Sequence, residues 1–123
     1  MIAENALADY IEITGMLDNP YPYMANCDIY VQSSYEEAHP LAIIEALVLN
    51  NPVVTTNTVG GNALIKDSFH GVVVENEGSL MAKAILQLWN DDCQYRKIQG
   101  NLKNIIYLNS FGVYQEKWKN LLR

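Results

Sequence analysis

Short, almost wholly apolar runs recur along the chain, separated by segments in which apolar residues repeat every three to four positions. Such runs predict buried strands, and the segments between them predict helices. The predicted strands are residues 10–14, 28–32, 53–56 and 71–74. Strands that alternate with helices are typical of an α/β fold whose parallel sheet is covered on both faces. We therefore predict a doubly wound parallel sheet of about four strands.

Start and stop signals give the helices their expected limits. Asp18-Asn19-Pro20 predicts a short helix over residues 21–26, and Pro40 predicts the first turn of a helix that ends near Leu49. Ser79 is the predicted cap of an amphipathic helix. The other predicted helical segments are residues 2–9, 63–66, 91–99, 101–108 and 111–122, with a loop over 57–62 and a break at Gly100.

Length and charge narrow the class of protein. A chain of 123 residues, half of them hydrophobic, predicts one domain with a real core. The formal charge of −6 and the lack of a basic stripe argue against nucleic acid as a partner.

The cysteines and the apolar runs bear on location. Cys27 and Cys93 are the only two cysteines and form no C-x-x-C motif, which favours a reduced, cytoplasmic chain without structural zinc. The apolar runs are too short for a membrane span, and the first ten residues lack the pattern of a signal peptide.

The stretch Y-E-E-A-H-P-L-A-I-I-E-A-L, residues 35–47, carries the candidate chemistry. Pro40 fixes the start of a helix whose first amides, those of Leu41, Ala42 and Ile43, are expected to lack helical partners and to suit a phosphate. Glu37 and Glu45 flank this start, and carboxylates bind sugar diols well. A diphosphate between two sets of hydroxyl groups fits this layout. Glu37 as a solvated loop acid, and Glu45 as the exposed position of an amphipathic helix, stay open as alternatives.

The order of motifs resembles that of retaining glycosyltransferases of the GT-B fold, family 4 type. E-A-H-P-L-A-I-I-E matches their E-x7-E motif, and N-P-V-V-T-T and V-G-G follow in the expected order. D-I-Y-V, residues 28–31, resembles the family strand before the motif, and the resemblance covers residues 11–74. Ala38 stands where the family has glycine, which is compatible only if the backbone there has no positive φ.

The resemblance implies that residues 1–123 are a single, truncated nucleotide-sugar-binding domain with a Rossmann-like fold. It implies a hexosyltransferase that passes a sugar, with retention, from a nucleotide diphosphate sugar to a saccharide or lipid-linked acceptor, without metal or other cofactor. Glu37 matches the catalytic-site acid that contacts the transferred sugar, and Glu45 matches the ligand of the ribose diol. The remaining implied donor-binding residues are Met16, Leu17, His39, Pro40, Leu41 and Ala42.

The resemblance also implies partners. The acceptor domain and the first two strands of the donor domain would precede Met1, so the chain alone is expected to transfer no sugar. The edge of residues 28–32 would then be bare, and we expect either self-association through it or direct pairing with residues 10–14. A lipid-linked acceptor would place the enzyme at the inner membrane face. The alternative function is a non-enzymatic α/β module that binds a phosphate-containing ligand or a protein.

Overall fold

The fold is built on three parallel strands. A computed structural model describes residues 1–108, with side chains through residue 104. The strands are β1 (Tyr30–Gln32), β2 (Val53–Thr56) and β3 (Gly71–Val74), and β2 lies between the other two. Tyr30 pairs with Val53, and Val53 pairs with Gly71. The predicted α/β class is confirmed, but the sheet has three described strands and not about four.

Five helices connect and cover the described strands, and the predicted helix starts before Tyr21 and at Pro40 are confirmed. Pro20 and Pro40 are the residues immediately before two of these helices, where the missing amide hydrogen costs no helical hydrogen bond. The helices are α1 (Tyr21–Ala25), α2 (Leu41–Val48), α3 (Val59–Leu64), α4 (Gly78–Asn90) and α5 (Asp92–Leu108).

Apolar side chains form a core on each face of the sheet. On one face Val54 packs with side chains of α4 and α5, among them Leu88 and Ile98. On the other face Val53 packs with Ile43 and Ala46 of α2, and with Ile65. Because successive strand residues point to opposite faces, adjacent valines serve the two cores. All four residues of β2 are buried, as expected of a central parallel strand.

The N-terminal predictions were wrong. Residues 2–9 form turns and residues 10–14 form no strand, although their sequence alternates like one. Tyr10 and Ile13 are 84% and 79% exposed. An alternating segment becomes a strand only where a neighbouring strand satisfies its backbone groups, and within residues 1–108 none pairs with this segment.

Three further boundaries differ from the prediction. Gly60-Gly61 lies inside α3, because Thr58 caps that helix by accepting from the Gly61 amide at 3.0 Å. Helix α5 runs through Gly100 without a break. The N-cap of α4 is Glu77 and not Ser79. The helix predicted over residues 111–122 lies outside the described residues.

The outer edge of β1 faces no other strand among the described residues. Direct pairing of residues 10–14 with this edge is therefore wrong, and self-association through it stays a prediction. Over residues 1–108 there is no helix with both the length and the apolar character needed to cross a membrane.

Candidate functional site

The start of α2 lies at the carboxyl end of β1, as the sequence predicted. Pro40 is buried and precedes the first helical residue, Leu41, which is 62% exposed; Ala42 is half-buried. The Ile43 amide donates to the Pro40 carbonyl at 3.1 Å, so the expectation that this amide lacks a partner was wrong. The amides of Leu41 and Ala42, in the first turn, stay the predicted donors to an anion.

Glu37 is half-buried in the loop between β1 and α2, and two contacts hold it. Its Oε2 accepts from Gln32 Nε2 at 3.3 Å, and its backbone carbonyl accepts from the Gly60 amide at 2.7 Å. The glycine is required there, because a Cβ on Gly60 would lie 2.5 Å from Pro40 Cδ and 2.8 Å from the Glu37 carbonyl oxygen. The close approach of α3 thus fixes the loop that carries Glu37.

Glu45 lies on α2 and is also half-buried. The Tyr21 hydroxyl of α1 donates to Glu45 Oε1 at 3.1 Å. The same helix exposes Leu41, an apolar residue, more than it exposes this acid. Glu45 is therefore not the solvated position that an amphipathic pattern would assign to it.

Tyr30, the first residue of β1, connects the two acids electrostatically. Its hydroxyl donates to Gln32 Oε1 at 3.3 Å. Burial raises the pKa of Tyr30, and the charges of Glu45 and then Glu37 raise it further. Both carboxylates therefore act on one half-buried hydroxyl and oppose its ionisation.

A cleft of about 470 Å³ opens beside Glu37, between the loops that follow β1 and β2. Its lining comprises Tyr35, Glu36, Glu37, Ala38, Asn57, Thr58 and Val59. The Ser34 carbonyl, at the base of the first loop, accepts from the Thr56 hydroxyl and from Asn76 Nδ2. A larger hollow of about 970 Å³ lies along α4 and the start of α5 and includes none of the predicted site residues.

The other predicted residues lie around this site at different exposures. His39 is exposed, and Ala38 is not among the described non-glycine residues with positive φ, so alanine fits in place of the family's glycine. Met16 is fully exposed and Leu17 half-buried, in the segment before α1. No group of three or more His, Cys, Asp or Glu side chains in the described part of the chain could hold a metal ion.

The sequence pattern did not predict three polar residues that contact the candidate site: Tyr21, Tyr30 and Gln32. Tyr30 and Gln32 alternate on β1, so their side chains share one side of the strand. A glutamine at the end of a buried strand was the available signal. The sequence around Tyr21 gave no comparable signal, because Tyr21 contacts Glu45, which is 24 positions away in the chain.

The fold is thus a parallel α/β domain in which Glu37 lies in the loop after β1 and Glu45 lies within α2. The profile of the family described as "Glycosyl transferases group 1" matches residues 1–91. The chain belongs to this family, and its resemblance to GT-B glycosyltransferases is confirmed.

Two curated relatives of this chain are also glycosyltransferases. The poly(ribitol-phosphate) alpha-N-acetylglucosaminyltransferase of Staphylococcus aureus (strain COL) is 31% identical over 98% of this chain and 25% of its own length. The UDP-Gal:alpha-D-GlcNAc-diphosphoundecaprenol alpha-1,3-galactosyltransferase of Escherichia coli is 32% identical over 76% of this chain and 24% of its own. The chain therefore spans about a quarter of the length of these relatives.

Solved structures agree in fold. TarM superposes with a TM-score of 0.78 at 30% identity, covering 99% of this chain and 25% of TarM. A variant of S. aureus TarM was solved with fondaparinux, alpha-GlcNAc-glycerol and UDP. Anabaena HepE, solved in complex with UDP, superposes with a TM-score of 0.82 over 98% of this chain and 34% of its own; at 21% identity it supports the fold alone.

Proposed function

We propose that this chain binds the donor of a glycosyl transfer, a nucleoside diphosphate sugar, at the carboxyl edge of β1. The observation that supports the proposal is that Glu37, in the loop before α2, and Glu45, within α2, are each held by a hydrogen bond, from Gln32 and from Tyr21 respectively. Two acids flanking a helix start match a ligand with a diphosphate between two groups of hydroxyls.

The roles follow from position. Glu45, held by Tyr21, accepts from the ribose diol, and Glu37, at the cleft of about 470 Å³, accepts from hydroxyls of the transferred sugar. The amides of Leu41 and Ala42 meet the diphosphate, with His39 and Pro40 beside it, since the helix dipole favours anions there. Met16 and Leu17 lie beside the base. No metal ion takes part, because the helix end offsets the charge of the diphosphate.

The proposed reaction is transfer of the sugar, with retention, to a saccharide or lipid-linked acceptor. Because the chain spans about a quarter of its curated relatives, we assign the acceptor site and the rest of the donor site to a further domain. The 123-residue chain alone then binds donor weakly and transfers no sugar. For a lipid-linked acceptor, the enzyme works in the cytoplasm at the inner membrane face.

A titration followed by ¹⁵N NMR tests the donor site, because this method detects weak binding. UDP is the first probe, since a TarM variant was solved with UDP. Glu45→Ala should weaken UDP binding by about 10- to 100-fold, the loss expected for a hydrogen bond to a charged group. Glu12→Ala, which removes an exposed acid from the N-terminal segment, is the matched control.

Three outcomes decide between the functions. Shifts at residues 37–45 on adding UDP, unchanged by EDTA and lost in Glu45→Ala, support the proposal. Equal affinity for UDP and inorganic phosphate, with no effect of Glu45→Ala, favours the non-enzymatic phosphate-binding module. Steady sugar transfer by the purified 123-residue chain contradicts the requirement for a further domain.

Self-association through the open edge of β1 is a separate proposal. Unpaired backbone groups on an edge strand recruit a further strand, and Val31 on this edge is 40% exposed. Sedimentation at low micromolar concentration tests it. A monomer at every concentration contradicts it and leaves the donor site unaffected.

A further inference from the structure

Gln32 stands between Tyr30 and Glu37 and contacts both. The Tyr30 hydroxyl donates to Gln32 Oε1 at 3.3 Å, and Gln32 Nε2 donates to Glu37 Oε2 at 3.3 Å and to Ser34 Oγ at 3.4 Å. The amide is half-buried at the carboxyl end of β1, and Tyr30 is half-buried at its start. A continuous chain of hydrogen bonds thus runs from the strand to the acid beside the cleft.

The direction of this chain is set at its tyrosine end. A side-chain amide can present either its oxygen or its nitrogen to a neighbour. A phenol that donates to the amide oxygen turns the amide nitrogen toward Glu37, and a carboxylate can only accept. Burial and the two nearby carboxylates all raise the pKa of Tyr30, so its hydroxyl keeps the proton that it donates.

We propose that Gln32 is a positioning residue that holds the Glu37 carboxylate toward the transferred sugar, and that Tyr30 fixes the orientation of the Gln32 amide. This inference rests on the proposed donor site. One Glu37 oxygen is committed to Gln32, which directs the other oxygen for a sugar hydroxyl. Glu45 is held separately, by Tyr21, so the sugar half and the nucleotide half of the site have independent supports.

The experiment compares UDP with UDP-N-acetylglucosamine, UDP-glucose and UDP-galactose on the 123-residue chain by NMR titration. In Gln32→Leu the affinity for UDP should stay within about 2-fold of the unsubstituted chain. The affinity for the UDP-sugar that binds best should fall by about 3- to 10-fold, the range for one uncharged donor. Tyr30→Phe should act in the same direction with a smaller effect. Gln87→Leu, an exposed glutamine on α4, is the matched control.

A spectroscopic signal tests the contact without any ligand. The side-chain amide resonances of Gln32 should shift in Glu37→Ala and in Tyr30→Phe, and should not shift in Gln87→Leu. If the Gln32 side-chain amide resonances do not shift in either Glu37→Ala or Tyr30→Phe, the inference is overturned, even if the chain binds the donor.

The binding outcomes separate the two proposals. Binding of UDP and UDP-sugar with an affinity ratio unchanged in Gln32→Leu overturns the role of Gln32 and leaves the donor site intact. No binding of any nucleotide by the unsubstituted chain overturns the donor site, and the role of Gln32 falls with it.

Discussion

The Tyr21 hydroxyl on α1 donates to Glu45 Oε1 on α2 at 3.1 Å, although β1 comes between these helices in the sequence. This contact holds an acid at the side of the α2 start, where the proposed ribose lies. Because a hydroxyl oriented toward Glu45 fixes the carboxylate, its loss should loosen the nucleotide half of the site.

Tyr21→Phe should therefore weaken UDP binding by about 3- to 10-fold, as expected for the loss of one uncharged donor. The ratio of UDP to UDP-sugar affinity should not change, since Glu37 keeps its own support. NMR titration measures both. Tyr23→Phe is the control, because Tyr23 lies on the same helix and is 54% exposed. An effect of equal size in both variants would assign the loss to α1 itself and not to the contact with Glu45.

Tyr30 reports the charge of the site directly. Burial, Glu45 and Glu37 raise the pKa of Tyr30, in that order of size. Glu45→Gln and Glu37→Gln should each lower the pKa of Tyr30, with the larger change for Glu45, because each removes a negative charge that opposes the phenolate. A ¹³Cζ titration of the tyrosines measures this.

Tyr95 is the internal reference for that titration. Its pKa is raised by burial and by Asp28, with neither site acid among the causes, so it should not respond. The raised pKa of Tyr30 also has a consequence for stability: this contribution is complete below the unfolded value of about 10 and is lost as the pH rises through the folded value. A Tyr30 pKa that is unchanged in both variants would show that the acids do not face this hydroxyl.

His70 makes the folding stability depend on pH near and below neutrality. Burial lowers the pKa of His70, the Leu64 carbonyl opposes this, and the Lys66 charge lowers it further. Its Nδ1 lies 3.1 Å from the Lys66 amide nitrogen, from which only an unprotonated Nδ1 accepts, and 3.2 Å from the Leu64 carbonyl oxygen, to which only a protonated Nδ1 donates. Since the folded pKa is lowered, the contribution of His70 is present above about pH 6.5 and lost as the pH falls through the folded value.

Urea unfolding at pH 7.5 and pH 5.5 measures that effect. His70→Gln should destabilise the chain more at pH 7.5 than at pH 5.5. His39→Gln is the control, because His39 is exposed in the loop before α2. A destabilisation of His70→Gln that is equal at both pH values would show that protonation of His70 does not change its contribution to folding.

The sequence was most informative where local pattern and tertiary context agree. Residues 53–56 read as a buried strand and are one, because β2 has a strand on each side. Residues 10–14 carry an equally good strand pattern, but pattern cannot supply the partner that a strand needs. The two acids were predicted from spacing and resemblance, and their roles stay a prediction. Their supports, Tyr21 and Gln32, were not predicted, because contacts between elements depend on packing that spacing does not encode.

The sequence pattern predicted that Gly60 lies in a loop. Its observed position in α3 explains why this residue is a glycine. It lies in α3 under the loop that carries Glu37, donating to the Glu37 carbonyl at 2.7 Å. A Cβ there would lie 2.5 Å from Pro40 Cδ and 2.9 Å from the Ala38 carbonyl carbon. Neither the proline ring nor the backbone can move aside without displacing the loop.

Gly60→Ala should therefore destabilise the chain by about 1–3 kcal/mol, the usual cost of overpacking, and weaken UDP-sugar binding more than UDP binding. Gly100→Ala is the matched control, because nothing lies within 4 Å of the added Cβ in the middle of α5. That variant should gain about 0.5–1 kcal/mol, since alanine loses less backbone freedom than glycine in a helix. Urea unfolding and the two titrations measure both variants. If Gly60→Ala gains stability as Gly100→Ala does, the loop does not rest on α3, and its support for Glu37 must come from β1 alone.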